Sequence, residues 1–229
     1  MRVRILKRGR KILSRIEACA ILKSGLLEVY QPVPWLGIKG AHRHESTWQR
    51  WRAIDRELGV MTGSAMDVGC SLGFFTFQMA LRGFFCLGIE GDSLQYHLCN
   101  LIKEAAGVEN SVFARLSITS QDCDMLPQVD VTIFLSVFHH VVMFAGLEEA
   151  TRLLMGLLRK TRRVLFFETG QSNETGVTWR KYLPDMGLDP KAWIEEYLRS
   201  VGASRVVDLG CYSTHLSDVR RTLFAVYVG

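Results

Sequence analysis

From position 64 onward the chain alternates short apolar runs with segments of helical period. Residues 65–68 form a short apolar strand, residues 74–81 a helix stopped by Gly83, residues 84–89 a second strand and residues 94–106 the helix after it. Residues 112–118 read as a third strand, and residues 131–137, rich in β-branched and aromatic side chains, as a fourth. A helix over 147–159, a strand over 164–167, a helix over 191–201 and late strands over 205–209 and 223–228 complete the pattern. Strands separated by helices predict an α/β fold with a mainly parallel, seven-stranded sheet and helices on both faces.

Upstream the texture differs. Residues 1–30 suit a basic amphipathic helix, with Ile5, Ile12, Ile16 and Ala20 near helical spacing and Arg and Lys between them. Pro32, Pro34, Gly37 and Gly40 mark a loop, and a second helix covers 47–58 before Gly59 and Gly63. The chain divides into a basic helical N-terminal extension, 1–60, and a domain, 61–229. Charge follows that division: residues 1–60 carry 13 Lys and Arg against 5 Asp and Glu, and the remainder 15 against 18. The extension is therefore where an anionic partner would be met, and peripheral contact of residues 1–30 with an anionic membrane is expected.

Hydrophobic residues make up 48% and charged residues 22%, which excludes a disordered or low-complexity chain. The longest uncharged stretch in the body, residues 131–147, is interrupted by His139 and His140 and falls short of the roughly 18 apolar residues of a membrane span. The basic start is followed by too short an apolar run for a signal peptide, so a cytoplasmic placement is expected. Six cysteines occur without a C-x-x-C pair, which suits small buried hydrophobes in a reducing compartment and suggests no metal site.

In open α/β sheets ligands bind beyond the carboxyl ends of the strands, so chemistry is sought there. After the first strand stands Asp67-Val68-Gly69-Cys70-Ser71-Leu72-Gly73, whose glycines permit a tight turn and close backbone approach. After the second stands Glu90, at the spacing from the glycine loop where a carboxylate takes a ribose diol. Asp122 and Asp124 follow the third strand. Asp130, Ser136, His139 and His140 bracket the fourth, and Glu168, Gln171, Asn173 and Glu174 follow the fifth. The loop is not G-x-G-x-x-G, which weakens a dinucleotide reading. It does spell G-x-S-x-G around Ser71, the elbow of α/β-hydrolases, but no oxyanion segment precedes it and its acid partner is unclear.

The ordered signals resemble a known family. Asp67 to Gly73 is similar to the first motif of class I S-adenosylmethionine-dependent methyltransferases, and Gly88-Ile89-Glu90 to their ribose-binding motif. Asp122-x-x-x-Leu126-Pro127 resembles the segment bordering the adenine, and Asp130-Val131 leading to Ser136-Val137-Phe138-His139-His140 the fourth-strand motif. Residues 135–140, with Thr214-His215-Leu216-Ser217, are similar to the methyltransferase part of bacterial O-antigen chain-terminating kinase–methyltransferases, although no kinase segment is seen in this sequence. The resemblance implies a Rossmann-like fold and S-adenosylmethionine as cofactor, held by Asp67, Gly69, Cys70, Gly73, Glu90, Asp122 and Ser136. It implies a methyltransferase, acting on an oxygen of a sugar, sugar phosphate or glycan end in surface-polysaccharide metabolism.

Methyl transfer is an in-line displacement, so the enzyme aligns acceptor and methyl. An alcohol acceptor also needs a base, for which His140, His139 and Glu168 are the candidates. His215, Gln171 and Arg220, with Arg221 beside it, could hold the acceptor, an arginine suiting a phosphate. His42, His44, Trp48 and Trp51 could cover the cofactor, or Trp48 and Trp51 could simply pack. An RNA acceptor would use the basic extension, yet the charge is confined to one segment and no RNA-binding module is seen, so nucleic acid is a disfavoured partner. A small-molecule acceptor, and a catalytically inactive methyltransferase-fold subunit, are the other readings.

Overall fold

The computed structural model describes residues 2–40 and 42–229, with side chains from residue 9 on in the first helix. Ile5 and the cationic side chains of Arg2, Arg4, Lys7 and Arg8 lie outside what is described. One sheet contains β1 (Ser64–Val68), β2 (Phe85–Glu90), β3 (Ser111–Arg115), β4 (Val129–Leu135), β5 (Thr161–Glu168), β6 (Arg205–Tyr212) and β7 (Arg221–Tyr227). Their spatial order is β3-β2-β1-β4-β5-β7-β6. β1 to β5 pair in parallel, and β7 runs antiparallel to both of its neighbours. The mainly parallel seven-stranded sheet predicted from the hydrophobic pattern is what the chain forms.

The helices are α1 (Arg2–Lys23), α2 (His44–Leu58), α3 (Phe74–Leu81), α4 (Ser93–Ala106), α5 (Phe138–Lys160) and α6 (Pro190–Ser200). Side chains alternate across a strand. Ala65, Val131, Ile133, Val164 and Phe166 thus face a core shared with α1 to α4. Met66, Val68, Phe134, Leu165 and Phe167 face a second core shared with α5 and α6. Strands apolar on both faces are what a helix-covered parallel sheet needs.

Three boundaries differ from the sequence reading in ways that matter. β3 ends at Arg115, which frees residues 116–118 from the strand. β4 ends at Leu135, and Ser136 turns out of the sheet with a positive φ of 59°. α5 starts at Phe138, well before 147, and is broken at Gly146 (φ 86°, ψ 163°). Its first turns are uncharged, their only polar residues, His139 and His140, are adjacent and show no helical period, and Gly146 reads as a stop. His139 and His140 therefore stand in the first turn of a helix. Asp130 lies at the opposite end of β4, where it accepts hydrogen bonds from the Ser64 amide and hydroxyl (2.8 and 2.9 Å).

Residues 1–60 share the domain's core. Ala18 and Leu22 of α1, and Trp51, Ile54 and Leu58 of α2, are buried in the first core cluster. Ser14 donates to Glu104 of α4 at 2.7 Å. The buried face of α1 is thus Ser14, Ala18 and Leu22, and the stripe of Ile12, Leu13 and Ile16 faces outward. Between the two helices the chain turns through a 3-10 segment, Pro34–Leu36. It closes on itself where the Arg43 amide donates to the Tyr30 carbonyl at 2.9 Å.

Candidate functional site

The strand order switches direction between β1 and β4, and polar groups collect at that crevice. The Gly69 and Cys70 amides donate to the Ile89 carbonyl (2.9 and 3.0 Å), tying the glycine loop to the end of β2. Gly69 has φ 71°, and a Cβ there would stand 2.4 Å from Val137 Cγ2; one at Gly73 would meet the Phe77 ring at 2.9 Å. The Asp67 carboxylate accepts from the Thr76 amide and hydroxyl (3.0 and 2.7 Å), pinning the start of α3 to β1. Burial pushes the Asp67 carboxyl up to about 7, against the lowering effect of the Thr76 bonds. The Cys70 side chain is buried beneath the loop.

Glu90 ends β2. Its carboxylate accepts from the Ser71 amide (2.8 Å) and the Asp92 amide (2.9 Å), which fixes it at the rim of a cavity of about 510 Å³. Burial raises its pKa while those backbone donors lower it. The cavity has apolar walls from Ile89, Leu116, Ile118, Val141 and Phe144, with Gly69, Gly91, Thr119 and His140 among its polar edges. Asp122 does not line it. The Asp122 carboxylate accepts from the Thr119 amide and hydroxyl (2.8 Å each) and so holds Thr119, which does.

A second, smaller cavity of about 60 Å³ shares Gly69 and Val137 with the first and is bounded by Asp67, Ser136, Glu168, Arg43 and Gln31. Glu168 has no exposed surface; it accepts from Arg50 Nε (2.6 Å) and Ser136 Oγ (2.7 Å), with Arg43 at 3.5 Å. Burial alone would raise its pKa, but Arg50 and Arg43 together hold it below the usual carboxylate range. It is thus placed as an ionised anchor under the pocket floor, a poor proton acceptor. A second buried pair lies alongside: Arg221 grips Glu174 with two bonds (2.7 and 2.8 Å) and reaches Ser136 Oγ at 3.3 Å.

The two adjacent histidines separate, as residues about 100° apart on a helix must. His139 is buried. Its Nδ1 accepts from the Gly170 amide at 2.9 Å, its ring packs on Trp179, and burial followed by Arg221 pushes its pKa well below the ordinary value. His140 is half-buried and faces the large cavity, with its pKa lowered by burial and then by Arg221. Of the expected acceptor contacts, Gln171 is buried and donates to the Arg220 carbonyl at 3.1 Å. The Arg220 guanidinium lies on the surface against the Cys211 carbonyl (2.6 Å), and Arg221 is the member of that pair turned toward the site. His215 is stacked between Tyr30 and His42 (ring centroids 5.3 and 5.7 Å) beside the small cavity's rim. Trp51 is buried in the core, and Trp48 packs edge-on against Phe74.

Arg43, Arg50 and the pairing of Glu174 with Arg221 escape the strand-end search. For Arg50 a signal exists: it stands at the four-residue spacing of Ile54 and Leu58, inside the apolar stripe of α2. An arginine in that register has to be buried against an anion.

No protein-family model matches the chain. It is 32% identical over 182 residues to the O-antigen chain terminator bifunctional methyltransferase/kinase WbdD of Escherichia coli, covering 76% of this chain and 23% of that protein. It therefore spans about a quarter of that relative's length. A 2.2 Å crystal structure of WbdD superposes with a TM-score of 0.71 at 27% identity, covering 90% of this chain and 46% of that one. The chain is homologous to the methyltransferase region of WbdD and has the fold of class I S-adenosylmethionine-dependent methyltransferases. Two more distant structures share its fold. Magnesium protoporphyrin IX methyltransferase (ChlM) from Synechocystis PCC 6803, solved with bound SAH, has a TM-score of 0.58 at 16% identity, covering 80% of this chain and 83% of that one. The N-terminal domain of EvdMO1, solved in the presence of SAH and D-fucose, has a TM-score of 0.62 at 16% identity, covering 100% and 98%.

Proposed function

We propose that this chain transfers the methyl group of S-adenosylmethionine to an oxygen of a sugar, a sugar phosphate or a glycan end. The observation that carries the cofactor half is the cavity rimmed by Glu90 and floored by the Gly69 turn, a volume in the range of small-molecule sites. Glu90 would accept from the ribose hydroxyls, and Ile89, Leu116, Ile118 and Phe144 would sandwich the base. Cys70, Gly73 and Asp67 act indirectly, by shaping the loop. The acceptor half rests on the likeness to WbdD, an O-antigen chain terminator.

When bound, S-adenosylmethionine supplies a sulfonium-activated methyl carbon. The protein's part is alignment, exclusion of water and, for an alcohol, removal of a proton. His140 faces the cavity and is kept neutral by burial and by Arg221, so its imidazole is free to accept a hydroxyl proton. Ser136, bonded to Glu168 and reached by Arg221, borders the smaller cavity that adjoins this one at Gly69 and Val137.

The test is calorimetric titration with S-adenosylmethionine and S-adenosylhomocysteine, followed by methyl transfer to a panel of glycosides, phosphosugars and RNA. Saturable binding, lost in Glu90→Ala, with turnover on a sugar-bearing acceptor is expected. No binding by the folded wild type removes the cofactor assignment. Turnover on RNA alone removes the acceptor assignment, and binding without turnover on any acceptor favours a non-catalytic subunit.

We further propose that α1 meets an anionic lipid surface from the cytoplasmic side. Among the described residues no helix is long and apolar enough to cross a membrane. Ile12, Leu13 and Ile16 form an outward apolar stripe, and the exposed cations Arg10, Lys11 and Arg15 flank it. That combination of apolar area and positive charge suits binding in the headgroup plane.

A further inference from the structure

A general base has to be held as well as placed, and a hydrogen bond to its other ring nitrogen ordinarily does the holding. His140 has none: among the described residues no side chain or backbone group bonds to its imidazole. Rings pack on it instead. The His139 ring lies 4.4 Å away between centroids, and the Trp179 indole lies 5.3 Å away and edge-on. Trp179 also packs on His139 at 4.6 Å and has the Arg221 guanidinium over its ring at 5.3 Å. One buried indole thus touches both histidines and the cation that bears on both.

Local structure fixes that indole. It stands in the 3-10 turn Thr178–Tyr182, tied back to the start of its loop where Arg180 Nε donates to the Ser172 carbonyl at 2.7 Å. Gly170, just past β5, leaves room for it: a Cβ there would stand 2.6 Å from Trp179 Nε1 and 3.0 Å from His139 Cγ. Packing alone does not account for the indole. Its Nε1–H is buried with no acceptor, a cost that a phenylalanine in the same place would avoid. We propose that Trp179 is a positioning residue for methyl transfer: its ring sets the direction of the His140 imidazole and screens it from water, in place of the missing hydrogen bond. This rests on the reading of His140 as the base. Of the charged and titratable groups around His140, Arg221 comes from β7 and His139 from α5. Glu90 and Glu149 line the same cavity, Glu90 committed to the Ser71 and Asp92 amides and Glu149 to the Ser120 amide. None of the hydrogen bonds of these four groups runs through Trp179, so shortening its side chain alters chiefly the access of water to His140.

The experiment uses Trp179→Leu and Trp179→Phe in the full chain, with Gly170→Ala as an independent way of displacing the indole. His140 is titrated by NMR on histidine-labelled protein, its signal assigned by its loss in His140→Asn. kcat and KM are followed across pH with the glycoside or phosphosugar of the panel that is turned over. Thermal melts and titration with S-adenosylhomocysteine report on folding and on the cofactor site. In Trp179→Leu the His140 pKa rises toward the ordinary histidine value and the acid limb of kcat/KM rises with it. kcat falls about tenfold or more, while acceptor KM and S-adenosylhomocysteine affinity stay within about threefold. Gly170→Ala moves the pKa, the limb and kcat in the same directions, and Trp179→Phe, which keeps a ring, recovers most of kcat. The NMR titration needs no acceptor, so an unmoved His140 pKa in a folded variant overturns the proposal by itself and leaves Trp179 a core residue. A raised KM at unchanged kcat overturns it too, by making the indole an acceptor contact. If His140→Asn keeps the wild-type kcat and acid limb, the reading of His140 as the base fails and this proposal with it, a result obtained without touching Trp179.

Discussion

Glu168→Gln tests the buried charge network most directly. Gln keeps the shape of the side chain but removes the anion and replaces one acceptor oxygen by a donor. Glu168 is fully buried, takes Arg50 Nε at 2.6 Å and Ser136 Oγ at 2.7 Å, and has Arg43 at 3.5 Å. After the change two guanidiniums share no carboxylate, and the new amide must point at a donor. Breaking a buried ion pair from one side costs about 3–5 kcal/mol. For a chain of this length each kcal/mol is about 2–4 °C, so Tm should fall by roughly 6–20 °C. The pH dependence supplies a second, independent check. Burial pushes the Glu168 carboxyl up, but Arg50 and Arg43 outweigh it, so the folded pKa lies below the ordinary glutamate value. Its contribution is therefore present above the unfolded value and lost as pH falls through the folded one. Urea denaturation of both proteins, near neutrality and in stepwise acid, should show a gap that narrows below about pH 4. A gap under about 1 kcal/mol at neutral pH, the size of a surface ion pair, would refute the argument. So would a gap that persists unchanged into acid.

Three further outcomes are expected. Asp67 titrates at about 7 instead of 3.8, so its contribution is complete below the unfolded value and lost as pH rises through the folded one. Asp67→Asn should therefore be the more stable protein in mild alkali, by at most on the order of 4 kcal/mol; equal denaturation midpoints there would count against it. His140→Asn should lower kcat by about 10²–10⁴ and abolish an acid limb of kcat/KM lying below the ordinary histidine pKa, while His139→Asn should lower Tm and keep that limb. Ile12→Glu with Ile16→Glu should reduce co-sedimentation with anionic vesicles without moving the melting temperature; undiminished sedimentation would remove α1 from the membrane.

The strand-end rule picked out Gly69, Glu90, Ser136 and His140 because each follows a strand in sequence, and the topology brings those ends around two adjoining cavities. It could not locate Arg43 or Arg50. Arg50 meets Glu168 across 118 positions, and only the packing of α2 against the sheet makes them neighbours. The same holds for Arg221 and Glu174, 47 positions apart. Residues 1–60 read as a separate extension because charge and period change near position 61. Within them Ala18, Leu22, Ile54 and Leu58 belong to the sheet's own core. A basic composition describes a segment's exposed face and carries no information about whether its other face is shared.

Arg220 and Arg221 show the finer limit. In a strand, one residue of phase decides which face a side chain takes. β7 begins at Arg221, pairing it with Tyr212 of β6, and this turns Arg221 into the buried corner beside Glu174 and leaves Arg220 outside. Either arginine is compatible with the sequence until that register is known. The histidine pair is the helical version, with a step of about 100° between neighbours. His139 takes the inward direction, where the Gly170 amide uses its Nδ1, and His140 takes the direction of the cavity. In both pairs the residue type is legible and the direction is not. Direction is set by pairings that lie outside the local pattern, so a site assignment made from spacing alone carries an ambiguity of one residue at each such doublet.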